Sequence, residues 1–102
     1  MKAGRCVCGC GRRAVQQHHV VYAQEVRRAG GSVSDRRNLV PVAHVCHEAH
    51  HQRRAPFAMH VLPDSVFEFA AELFGRGAAY EYLARRYAGG DPRHAALIAA
   101  AA

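Results

Sequence analysis

The chain has 102 residues, fourteen Lys and Arg against eight Asp and Glu, a formal net charge of +6, and eight histidines. That length supports one domain with a modest core that a structural metal would help stabilise. No run is apolar and long enough to span a bilayer, and the basic balance favours a polyanionic partner, most simply nucleic acid. Thirteen of the fourteen basic residues are Arg, many of them paired, and a planar guanidinium fork suits phosphate. Residues Met1 to Arg5 carry no apolar stretch of the kind a secretory signal needs. The expected compartment is therefore the cytoplasm, where the four cysteines stay reduced and metal ligation is favoured over disulfides.

In chain order, Cys6-Val7-Cys8-Gly9-Cys10-Gly11 reads as a knuckle that lets backbone and sulfur wrap a metal. Val20-Val21-Tyr22 signals a short strand, residues 23–29 one or two helical turns, and Gly30-Gly31-Ser32 a break. Asn38 to Val42 reads as the returning strand, at an edge because it contains Pro41. Val45 to Arg54 reads as a helix stopped by Pro56. Further on, Ser65-Val66-Phe67-Glu68 has the form of a capping box, followed by Val66, Phe69, Ala70 and Leu73 on one helical face. Gly75 and Gly77 are expected to end that helix, and a second one is expected over residues 78–87 with Ala79, Leu83 and Tyr87 along one stripe. Asp91-Pro92 starts a last Ala-rich helix. The expected organisation is residues 1–56 as the metal-bearing half and residues 57–102 as a helical extension packed on it.

The histidines are the chemically informative residues. His47 and His51 are four apart on the expected helix, so they share a face and can grip one ion, with His50, three from His47, as the alternative to His51. His18 is the obvious third ligand from the first strand. On extended backbone the neighbouring His19 points to the other side, which leaves it free to act as a base near neutral pH.

Taken in order, His18-His19, Gly30-Gly31, Asp35-Arg36-Arg37-Asn38-Leu39-Val40 and Cys46-His47-Glu48-Ala49-His50-His51 resemble the HNH endonucleases, whose fold is the ββα-metal finger. The resemblance covers about residues 6–54. It implies an α+β fold: a ββα-metal core with a structural zinc knuckle, here followed by a C-terminal helical tail. It also implies hydrolysis of DNA phosphodiester bonds with one catalytic divalent ion (Mg²⁺, Mn²⁺, Zn²⁺ or Ni²⁺) on His18, His47 and His51. His19 would be the general base, and Asn38 would hold loop and base in register. Many members tie a knuckle to the helix with structural zinc on two cysteine pairs. This chain departs from that pattern, offering Cys6, Cys8, Cys10 and Cys46, with His44 the alternative to Cys8. Arg12-Arg13, Arg36-Arg37 and Arg53-Arg54 are the expected phosphate contacts. Small free-standing proteins of this kind resemble those of phages that act in DNA packaging beside a terminase, so weak sequence specificity and a DNA-processing partner are expected.

Two other readings use the same letters. His47-Glu48-Ala49-His50-His51 satisfies H-E-x-x-H, the zinc peptidase pattern, with Glu48 as base. A non-catalytic zinc module that binds DNA would explain the charge and the cysteines but has no use for an open metal site.

Overall fold

The computed structural model describes residues 4–89. The expected helix after Asp91 lies outside them. The order of elements is β1 (Gln16–His19), α1 (Ala23–Arg28), a 3-10 turn (Arg36–Asn38), β2 (Leu39–Val42), α2 (His44–His51), a second 3-10 turn (Met59–Val61), α3 (Asp64–Phe74) and α4 (Arg76–Arg86). It is a small mixed α+β architecture with one two-stranded antiparallel sheet, in which His18 pairs with Val40 and His19 with Leu39. Among the described residues no helix is long and apolar enough to cross a membrane.

The first strand ends at His19, just before the apolar letters that signal it. Val20 and Val21 are fully buried but follow the strand. Their hydrophobicity serves the core, and Val21 is held by the Asn38 side chain rather than by a ladder partner. Pro41 sits at a strand edge as expected, where its carbonyl accepts from Val7 N–H at 2.8 Å.

α2 starts at His44 and ends at His51, short of the expected Arg54. Arg53 adopts φ +59, a left-handed residue that turns the chain off the helix while its N–H still reaches the His50 carbonyl. The expected capping box does not form. Pro63 precedes the helix, Asp64 begins it, and the Ser65 hydroxyl instead reaches the Arg37 carbonyl at 3.5 Å. Only Gly75, at φ +82, separates α3 from α4, and Gly77 lies inside the first turn of α4. Gly31 has a packing reason: a Cβ there would meet the Leu73 side chain at 2.6 Å and the Val26 side chain at 3.1 Å, so the loop after α1 packs against Leu73 of α3 with no room for a side chain unless Leu73 shifts.

One buried cluster runs through both halves of the chain. Val20, Val40 and Val42 from the sheet region join Phe57, Met59, Leu62, Phe67 and Leu83 from the helical part. Residues 57 onward therefore complete the core on which the histidine-bearing elements rest.

Candidate metal centres

The knuckle folds back on itself. Cys6 N–H donates to Arg12 O at 2.9 Å and Ala14 N–H to Gly4 O at 3.0 Å, with Gly9 and Gly11 both at positive φ. It hangs on β2 through Val7 N–H to Pro41 O at 2.8 Å and Val15 N–H to Val42 O at 3.0 Å. That attachment carries three cysteines to the start of α2, where Cys46 waits in the first turn.

The four thiols are free. Their sulfurs stand 3.4 Å apart for Cys6 and Cys8, 3.7 Å for Cys8 and Cys46, and 3.6 Å for Cys10 and Cys46. A tetrahedron with Zn–S bonds of about 2.3 Å has edges of roughly 3.8 Å, so the set could hold a metal ion, and zinc fits it. Burial pushes the Cys8 thiol up to about 12 and raises Cys46, while the Arg12 backbone N–H draws Cys10 down to about 6. Such a group does not tolerate four thiolates by itself; a dication would compensate them. His44, the alternative ligand, turns away to the Glu48 carboxylate at 3.3 Å, so Cys8 completes the set.

The second group joins His18 from β1 with His47 and His51 from α2. His18 is 2 % exposed, held inward by the strand face it shares with Val40. Its Nδ1 lies 3.0 Å from His47 Nε2, and His51 Nε2 lies 3.0 Å from the same atom. These separations approach the roughly 3.3 Å edge expected of imidazoles about a tetrahedral zinc at about 2.0–2.1 Å. Burial first, then the neighbouring imidazoles, push His18 down to about 2, and burial lowers His47 as well. Protons are thus poor occupants of the space between these rings at neutral pH, whereas a divalent cation suits neutral imidazoles.

His50 is the residue the helix spacing left open, and the structure sets it apart from this group. It is buried, accepts from Phe57 N–H at 3.0 Å through Nδ1, and stacks between Phe57 and Tyr87 with ring centroids 4.7 and 4.8 Å away. It ties the end of α2 to the helical half.

His19 is half-buried, and its Nε2 is 2.9 Å from the Val33 carbonyl. A carbonyl only accepts, so the proton is on Nε2 and the Nδ1 lone pair is bare. Asn38 is fully buried. Its Oδ1 accepts from Val21 N–H at 2.7 Å and its Nδ2 donates to Val21 O at 2.9 Å, which locks the chain just after His19 to the start of β2.

The arginines separate into two kinds. Arg12, Arg13, Arg36, Arg53 and Arg54 are exposed. Arg37 is not free for phosphate. Its guanidinium is held by Asp35 at 3.0 Å and by Glu72 at 2.9 Å, bracing the turn before β2 against α3. The carboxylates that capture it come from two elements, which the Arg-Arg pairing in the sequence does not reveal. Arg36 lines a groove of about 770 Å³ together with Gln16, Gln17, Ser34, Leu39 and Pro41, beside the strand end that carries His19.

Two residues around the histidine group went unnoticed in the sequence. Gln16 Oε1 meets His47 Nδ1 at 3.0 Å, and Tyr87 Oη meets His18 Nε2 at 2.7 Å. Strand alternation could have found Gln16, two residues before His18 on the same face; nothing local points to Tyr87. Comparison with family models, with curated proteins and with solved structures found no match.

Proposed function

We propose that the protein is an HNH-type endonuclease, metal-dependent and of low sequence specificity, that hydrolyses DNA phosphodiester bonds. The observation that carries this reading is a three-imidazole group with His19, in a base-competent tautomer, next in the chain to one of its members. On this reading β1, β2 and α2 are the ββα-metal finger, α1 is an insertion between its strands, and the cysteine group is a structural zinc site.

Three ligands leave coordination positions open for phosphate and water, which a closed four-ligand set does not. A divalent cation on His18, His47 and His51 would stabilise charge on the non-bridging and leaving 3′ oxygens. His19 Nδ1 takes the proton of the attacking water while the Val33 carbonyl holds the ring by its other nitrogen. Asn38 keeps that strand end from shifting. The groove lined by Gln17, Leu39 and Arg36 lies on the face that His19 shares, since residues two apart on β1 point the same way, and on this reading a nucleic-acid strand would lie there. On this reading a phage-type DNA-processing partner would deliver the DNA. The peptidase reading has less support, because the carboxylate it needs as base, Glu48, is turned to His44 on the exposed side of α2.

The test is plasmid cleavage by wild type and His19→Ala with Mg²⁺, Mn²⁺, Zn²⁺ or Ni²⁺. His19→Ala should lose about 10²–10⁴-fold in rate and still bind metal. Equal rates would refute the base assignment, and a wild type that never nicks DNA with any of these ions would refute the function.

A further inference from the structure

We infer that Tyr87 and Gln16 are the positioning residues of the three-histidine centre: each holds the far nitrogen of one ligand ring and so aims the near nitrogen at a shared divalent cation of the imidazole-seeking kind, Zn²⁺ or Ni²⁺. This rests on the reading of His18, His47 and His51 as metal ligands.

For His18 and His47 the position of the ring proton follows from what the partner atoms can do. The Val20 carbonyl only accepts, so Tyr87, buried and 2.8 Å away, spends its single hydroxyl proton there. Its oxygen can then only accept from His18 Nε2, 2.7 Å away. A neutral imidazole has one ring proton, and with that proton on Nε2 the Nδ1 lone pair is bare. The same logic applies to His47: Gln16 Oε1 accepts from Nδ1–H and leaves Nε2 bare. Two bare lone pairs thus face each other 3.0 Å apart. That arrangement is repulsive by itself and becomes favourable with a cation between the rings.

The consequence reaches beyond the two side chains. Tyr87 follows α4, 69 residues after His18, so the helical half supplies part of the metal centre. Stacking on His50 holds the Tyr87 ring in place, and His50 is itself fixed by Phe57. Gln16 is exposed and also lines the groove, so it links the metal centre to the surface where a strand would lie.

The experiment titrates Ni²⁺ calorimetrically into the full chain with its thiol group already loaded with Zn²⁺. Gln16→Met and Tyr87→Phe should each weaken Ni²⁺ by about 10–100-fold, whereas Gln16→Glu, which keeps an acceptor, should stay at wild-type affinity. Histidine ¹⁵N spectra of Tyr87→Phe before Ni²⁺ is added should show His18 losing its single Nε2–H tautomer, a change that mere loss of packing would not cause. Should Tyr87→Phe fail to unfold cooperatively, Gln16→Met decides, since its site is on the surface. Unchanged Ni²⁺ affinity in Gln16→Met and in any folded Tyr87→Phe overturns the inference, and so does a wild type that takes up no Ni²⁺. A wild type that binds Ni²⁺ with these dependences but never cleaves DNA leaves the inference standing and removes the nuclease reading.

Discussion

Asn38→Ala is the substitution whose cost can be worked most directly from the structure. The side chain is fully buried and makes two hydrogen bonds, 2.7 and 2.9 Å long, to the N–H and C=O of Val21, itself fully buried. Truncation leaves both backbone groups without partners, at about 1–3 kcal/mol each, so the expected loss is about 2–6 kcal/mol. Against a typical domain stability of about 5–15 kcal/mol this is severe, and it corresponds to a fall in Tm of about 10–30 °C for a chain this small. Asn38→Asp has almost the same shape but sets a carboxylate oxygen against the Val21 carbonyl. It should be destabilised at neutral pH and recover relative to wild type as acidification protonates it, because a protonated acid can donate there. Urea unfolding followed by far-UV circular dichroism, with zinc saturating, measures both. A loss below about 1 kcal/mol for Asn38→Ala would refute the claim that this side chain staples the strand end in place.

Other expectations follow from the same geometry. Glu48→Ala should alter the DNA cleavage rate by no more than about threefold, as for an ordinary surface change; abolition of activity would favour the peptidase chemistry instead. Replacing Arg53 and Arg54 by Ala should lower the slope of log affinity against log salt by up to about 1.8. Arg37→Ala should leave that slope unchanged and lower the urea midpoint only slightly, because its carboxylate pairs are solvent-exposed; the reverse pattern would return Arg37 to the DNA-contacting set. Removing metal from the thiol group opens a cross-link between positions 38 apart, which by analogy with disulfide closure is worth about 4 kcal/mol. Chelation and Cys10→Ser should both lower the urea midpoint, with Zn²⁺ restoring only the chelated wild type, and indifference to both would refute a structural metal there.

The grouping of His18, His47 and His51 was legible because its spacing is local. Four residues on a helix put His47 and His51 on one face, and a histidine on the neighbouring strand completes the group. Helix spacing alone could not separate His50 from His51, since both lie within a turn of His47. That choice is made by Phe57 N–H and by stacking on Tyr87, contacts set by how the chain returns after α2. The same holds for Arg37, whose captor Glu72 is 35 residues away. Val20 and Val21 misled in another way. Their β-branched side chains signal a strand, but burial rather than pairing is what they answer. The Ser65 capping box failed because the helix already begins at Asp64, with Pro63 in the cap position, and a carbonyl from the turn before β2 is within reach of the hydroxyl.

The two candidate centres are not independent, because one short helix serves both. Cys46 and His47 are neighbours in α2, an element of only eight residues. Its first turn is bound to the knuckle through sulfur, and the knuckle is bound to β2 through Val7 and Val15. Its last turn is held by His50 against Phe57 and Tyr87. An eight-residue helix is marginal by itself in water, so its orientation has to come from such tertiary anchors. Those anchors act on the backbone that carries His47 and His51, while Gln16 and Tyr87 act on the rings. Loss of the thiol-bound metal should therefore release the N-terminal anchor and weaken binding at the histidines, even though no cysteine touches that site. Ni²⁺ affinity before and after selective removal of the thiol-bound zinc would measure the coupling, and equal affinities would show that β2 and the aromatic stack hold α2 unaided.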